Sequence, residues 1–370
     1  LDSLLVFNFL FLVYLYIYQK KMRTKKKIFP LDKYIYEALY NCKTGYYMKS
    51  NPFGASGDFI TAPNITILFS EMMAIWIISF WEKLKCPKKF NLIELGAGNG
   101  EMMFQMIKSF NKFPLFKNSC KINILEKSLY LKKIQKQKIK NNNIKWVESL
   151  NEISNLPNIF IANEFFDALP IKQFLKKKNK WYEKKVDISD LNKHSFVDVV
   201  TNIKKIEKEV GFKISHNQKF IEYSPMALKY LKLISKKINI TNGGILIIDY
   251  GYSDKNMKNT LKSISRHNYN DLLKNFSTSD ITYNINFRLM KKILTKLNLK
   301  ISGFTNQKNF LINLGILKRA EIISKNLPFS KKADIYFRLK RLIDNNLMGN
   351  LFKVILATNR KIIFKTGFVN

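Results

Sequence analysis

Short apolar runs alternate with amphipathic ones along this chain. FNLIEL (90–95), KINILE (121–126), IKWV (144–147) and NIFIAN (158–163) are too short for helices and rich in branched and large apolar side chains, so they predict strands. Helical spacing predicts helices over 99–111 and 128–140 between them. Further on, GGILIIDYG (243–251), LKISGF (299–304) and LFKVILAT (351–358) predict three more strands, with a helix over 286–297. Such alternation points to an α/β fold, a mostly parallel sheet covered by helices on both faces. Between the fourth and fifth strands, IKQFLKK, KWYEKKV, HSFVDVVTNI and KFIEYS predict a β-rich insertion. A helix capped by Ser224 and opened by Pro225 leads from it back to the sheet.

The region before the first strand reads as helical. Leu31, Tyr34, Ile35, Ala38 and Leu39 share one helical face after Pro30. Residues 42–63 hold Gly45, Gly54, Gly57, Pro52 and Pro63 and read as a long functional loop. Asn64 is placed to cap the next helix, ITILFSEMMAIWIISFWEKL, which is apolar on nearly every face and therefore predicted to be buried.

Composition adds three constraints. The chain is 370 residues long and 46% hydrophobic, enough for a large core. Its 64 Lys+Arg against 27 Asp+Glu give a net charge of +37, which points either to an anionic partner or to coding drift, since the lysines are scattered. Cys42, Cys86 and Cys120 form no pair, and His194, His216 and His267 are dispersed, so no metal site is expected. The apolar run 4–18 followed by QKKMRTKKK falls short of the ~20 residues of a membrane span. Two expectations follow: residues 1–21 lie upstream of a true start at Met22, or residues 4–18 anchor the chain with its main domain in the cytoplasm.

The chemistry concentrates in ELGAGNG, after the first strand. Gly96, Gly98 and Gly100 allow a tight turn and close backbone approach to a ligand, and the following helix aims its amides there. A dinucleotide fingerprint needs glycine at position 101, where Glu101 stands, and a Walker A sequence is absent. Glu-x-Gly-x-Gly-x-Gly is instead the first motif of class I S-adenosylmethionine methyltransferases. Glu126, closing the second strand, is placed to accept both ribose hydroxyls of that cofactor. ANEFFDALP puts Asn163, Glu164 and Asp167 at another strand end, where a methyl acceptor would be held.

GDFITAPNITILFSEMMAIW, LIELGAGNGEMM, ANEFFDALPIKQF, GGILIIDYG, DITYNINF and MGNLFKVI together resemble, in order, the blocks of the MidA-type methyltransferases, from about residue 31 to 358. That family includes the mitochondrial complex I assembly arginine methyltransferase and its bacterial relatives. The resemblance implies a class I Rossmann-like fold with a seven-stranded sheet, an N-terminal helical cap over 30–85 and an insertion at about 171–240, all within a domain spanning 22–370. It implies S-adenosylmethionine as cofactor, no metal, and a protein partner, with a complex I subunit as candidate. The compartment would be the cytoplasm of a bacterium, or the mitochondrial matrix of a eukaryote. Carried over by position, Glu94, Gly96, Ala97, Gly98 and Gly100 form the cofactor turn and Glu126 binds ribose. Gly57, Asp58 and Thr61 close over the cofactor, and Asn163, Glu164 and Asp167 line the acceptor side. Two departures stand out: Pro63-Asn64 where relatives often have Pro-Glu, and Asn286 where they tend to carry Asp, which questions any catalytic role there. An RNA methyltransferase, favoured by the charge, and a non-catalytic assembly factor are the alternatives.

Overall fold

The computed structural model describes residues 27–368, apart from 50–51, 53–59, 142, 191–192, 266–267 and 275. Its centre is an eight-stranded sheet. Seven strands form one path: β1 (Phe90–Leu95), β2 (Cys120–Leu125), β3 (Ile144–Val147), β4 (Asn158–Asn163), β5 (Gly243–Tyr252), β6 (Lys300–Asn306) and β7 (Phe352–Thr358), in the order β6-β7-β5-β4-β1-β2-β3. The eighth, Ile285–Asn286, pairs with the end of β5. The sheet is mixed. The β5-β4, β4-β1, β1-β2 and β2-β3 junctions are parallel, while β7 runs antiparallel to both β5 and β6.

Alternate residues of the central strands feed two cores. Ile245 and Ile247 face one with α1 (Leu31–Tyr40), α5 (Pro225–Thr241) and α6 (Phe287–Lys296). Leu246 and Ile248 face the other with α2 (Ile67–Lys83) and α3 (Glu101–Phe110). The five residues assigned to the buried face of α1 are the five that the structure buries. In α2, Ile67 and Ile75 are exposed although the rest of the apolar surface is covered. Ser224 accepts a hydrogen bond from the Ala227 amide at 3.0 Å and caps α5.

Residues Lys172–Lys177, Lys180–Asp187, Ser195–Thr201 and Phe220–Tyr223 make an antiparallel sheet. It is completed by Ile28–Pro30, a strand that the sequence pattern did not reveal. Asn64 corrects another expectation. The cap of α2 is Thr66, whose hydroxyl accepts from the Leu68 amide at 3.3 Å. Asn64 lies inside the short turn Ala62–Ile65, where its amide donates to Thr61 Oγ1 at 2.7 Å and its carbonyl accepts from Asn99 at 2.8 Å. Asn286 is the cap of α6, accepting from the Leu289 amide at 2.9 Å. Asparagine caps a helix as well as aspartate does.

No helix among the described residues is long and apolar enough to cross a membrane, and the run 4–18 lies outside them.

Candidate functional site

Strand register brings the polar strand ends to one level. Chain order leaves the sheet in opposite directions from the adjacent strands β1 and β4, so a crevice opens beyond their C-terminal ends. Leu95 pairs with Leu125, which puts Glu126 opposite the start of the glycine turn; the Gly96 amide donates to the Leu125 carbonyl at 3.0 Å. Ile248 pairs with Asn163, and the Glu164 amide donates to the Ile248 carbonyl at 2.9 Å. The turn at 96–100, Glu126, Glu164 and Asp249 are thereby gathered from four neighbouring strands.

The resulting cleft encloses about 980 Å³ of space between atoms, counting its mouth. Thr61, Gly96, Gly98, Glu126, Glu164 and Asp167 line it. A smaller recess beside it is lined by Thr61, Glu94, Gly96, Ala97, Gly98, Asn163 and Glu164. Gly100 lines neither. It holds φ +78° as the residue before α3, and a Cβ there would lie 3.3 Å from Gln135 Cγ. Gly96, at φ +65°, would bring a Cβ within 2.8 Å of the Phe165 ring. Gly57 and Asp58 lie outside the described residues.

The turn and Glu126 are clamped by one residue that the sequence pattern did not single out. Gln135, fully buried on α4 (Leu129–Ile139), donates to the Gly98 carbonyl at 2.8 Å and to Glu126 Oε2 at 2.9 Å. Its carbonyl accepts from the Trp146 indole at 2.9 Å. Glu126 Oε1 accepts from the Ser128 amide at 2.9 Å. Burial raises the Glu126 carboxyl above its usual range, opposed by the Ser128 and Gln135 hydrogen bonds.

Glu94 is buried beside it and is pushed up to about 8, by burial first and the Glu126 charge second. Its Oε2 has no hydrogen-bond partner, nor has Asn163 Oδ1. Buried acceptors of this kind call for a donor that a ligand brings.

Glu164 has a left-handed backbone, φ +50°, unusual for a side chain of its size. Its Oε1 accepts from the Ala62 amide at 3.4 Å and from the Asn163 amide group at 3.1 Å. Burial, then the Asp167 charge, raises it to about 8. Asp167 is buried, and its Oδ2 accepts from Thr282 Oγ1 at 3.0 Å while Oδ1 is unpartnered. The Tyr250 hydroxyl contacts Thr282 and supports the same carboxylate. Asp249 shapes the loop: its Oδ2 accepts from the Phe166 and Asp167 amides at 3.1 and 3.3 Å. Asp249 ends an apolar run as Glu126 does, so the strand-end logic applied to one could have found the other. Tyr40, Tyr47, Tyr230 and Asp280 also line the cleft, and no local pattern announces them. Lys127 is the one basic side chain among the described residues lining it.

Residues 72–305 match the family described as "Putative S-adenosyl-L-methionine-dependent methyltransferase". The chain belongs to this family. Its cofactor is S-adenosylmethionine. The site suits that molecule: a glycine turn, a strand-end carboxylate for hydroxyl donors, and unpartnered buried acceptors for an ammonium. The methyltransferase is 27% identical over 350 residues to the mitochondrial protein arginine methyltransferase NDUFAF7 of Danio rerio, covering 88% of this chain and 82% of the relative. It is 28% identical over 348 residues to the same-named Homo sapiens protein, covering 86% and 78%. In fold it is similar to a Burkholderia thailandensis protein crystallised with S-adenosyl-homocysteine, with a TM-score of 0.75, 21% identity, and coverage of 93% and 89%. Among the described residues, no three His, Cys, Asp or Glu side chains are grouped to hold a metal ion.

Proposed function

We propose that this methyltransferase modifies a guanidinium nitrogen of an arginine in a protein, and that its setting is assembly of respiratory complex I, with a complex I subunit as the protein modified. The observation that carries the reading is the carboxylate wall of the cleft: Glu164 and Asp167, with one Asp167 oxygen buried and unpartnered. A cationic acceptor supplies what that wall lacks. The arginine methyltransferase names of the curated relatives and the MidA-type motifs support the same acceptor.

When bound, S-adenosylmethionine supplies a methyl group on a positively charged sulfur. In this reading Glu126 accepts from the ribose hydroxyls, the 96–100 turn supports the methionine portion, and Glu94 with Asn163 receives its ammonium. Gln135 keeps the turn and Glu126 in register. Thr61, which lines the cleft, covers the cofactor. Glu164, ionised once a cationic guanidinium lies beside it, would orient that group, and its carboxylate would take the proton from the attacking nitrogen as the N–C bond replaces the methyl's bond to sulfur, which leaves as a neutral thioether. A guanidinium holds its proton to a pKa above ~12, so a carboxylate acts during transfer rather than before it. Asp167 steadies the second nitrogen. Orientation of this kind is worth several kcal/mol, up to about 7–11 in ideal systems.

The net charge of +37 favours a second reading, an RNA base as acceptor. Labelled S-adenosylmethionine, the purified enzyme and a lysate from a strain lacking this gene separate the two. Methylarginine in one protein band is the expected product. Label in RNA supports the second reading, and label in neither supports a cofactor-binding assembly factor. The compartment follows the substrate, the cytoplasm in a bacterium or the mitochondrial matrix in a eukaryote.

A further inference from the structure

We infer that Asp280 and the stacked Tyr40–Tyr47 pair form a second wall of the acceptor site, one that selects a planar guanidinium over a lysine ammonium. The inference rests on the arginine reading above and adds the residues that choose between two cations.

The three-residue strand Asp280–Thr282 links this wall to the first. Residues 280 and 282 share a face of that strand. Thr282 Oγ1 donates to Asp167 Oδ2 at 3.0 Å, and the Tyr47 hydroxyl donates to Asp280 Oδ1 at 2.6 Å. Asp280 is 5% exposed and lines the cleft together with Asp167. One strand thus fixes two buried carboxylates around a common space.

A second observation points to a ligand there. Asp167 is 7% exposed, and its Oδ1 has no hydrogen-bond partner. Buried acceptors are seldom left so unless an absent group completes them. The geometry of the wall specifies that group. Tyr40 and Tyr47 stack with ring centroids 5.6 Å apart at 26°, and Tyr40 is tied down by its hydroxyl donating to the Ala168 carbonyl at 3.0 Å. An aromatic surface beside carboxylates suits a flat cation. A guanidinium presents five N–H donors in one plane and stacks on rings; one carboxylate satisfies two donors and leaves three for other acceptors. An ammonium presents three donors from a point and gains nothing from planarity. It cannot give each of two separated carboxylates a charged donor at once.

Two acetylated hexapeptides that differ only in a single arginine or lysine among glycines provide the probe. Their binding to the full chain saturated with S-adenosylhomocysteine is read by fluorescence anisotropy. The native protein is expected to prefer the arginine peptide about tenfold or more, the size of one well-placed charged hydrogen bond. Asp280→Asn should reduce the preference to within about twofold while leaving calorimetric affinity for S-adenosylhomocysteine unchanged. Tyr47→Phe keeps the ring and removes the hydroxyl, so it should act in the same direction and less strongly. An intact preference in Asp280→Asn overturns the inference. So does a loss of S-adenosylhomocysteine affinity in that variant, which would put Asp280 in the cofactor subsite. If the lysate experiment yields methylarginine while Asp280→Asn keeps its preference, only this inference fails. If the label enters RNA and the native protein prefers neither peptide, the arginine reading fails with it.

Discussion

Glu164 combines three features that rarely coincide outside a working site. It has a left-handed backbone, a place in both cavities, and a carboxyl raised to about 8 by burial and Asp167. Its raised value has a consequence for stability. Between about pH 4.5 and 8 the folded chain keeps a proton there that the unfolded chain has released, so this group's contribution to stability falls as pH rises through that window. Glu164→Gln removes the dependence. The ligand-free variant should melt higher than the native protein at pH 8, and the two melting temperatures should converge toward pH 5. The same change should lower methyl transfer about a hundredfold or more, with S-adenosylhomocysteine affinity held within about threefold. Equal turnover, or a melting difference that does not vary with pH, would count against its assignment as the proton acceptor. Glu164 was legible as a strand-end acid beside two phenylalanines. Its opposition to Asp249 across a strand pair was not, because register is a long-range property.

At the scale of elements, helix α4 does more than cover the sheet. Through Gln135 it joins the glycine turn, the end of β2 and the indole of Trp146 in β3. Gln135→Leu leaves a carbonyl, a carboxylate oxygen and an indole N–H short of partners in a buried place. The expected loss is about 3 kcal/mol of stability or more, at about 1–3 kcal/mol for each of the three groups left unpaired. Cofactor affinity should fall with it, because Glu126 loses its orienting donor. Chemical denaturation and calorimetry check the two effects. Unchanged affinity would show that the turn holds its shape without α4. Sequence reading placed this helix over 128–140, close to the observed Leu129–Ile139, yet could not single out Gln135. A polar residue in a lysine-rich helix reads as solvent-facing until the tertiary fold buries it. Asn64 shows the complementary error. A cap signal was present, but Thr66 lies nearer the helix start and took the role, leaving Asn64 to bridge Thr61 and Asn99.

The whole molecule sets a cleft lined by carboxylates inside a chain of charge +37. A phosphate backbone drawn to the surface would meet Glu164, Asp167 and Asp280 at the cleft, which disfavours it there and favours a cationic side chain. The α/β architecture was visible in the sequence because strand and helix periods differ and both cores obey them. The antiparallel β7, the Ile28–Pro30 strand and the Tyr47–Asp280 contact were not, since each joins segments far apart in the chain. The proposed reaction requires one placement, with the cofactor between the glycine turn and Glu126 and its reacting end toward Glu164. A crystal structure of the chain with S-adenosylhomocysteine measures it directly. Both ribose hydroxyls are expected within hydrogen-bond distance of Glu126, with the sulfur facing Glu164 and Asp167. Ribose elsewhere, or a sulfur turned away from those carboxylates, would contradict it.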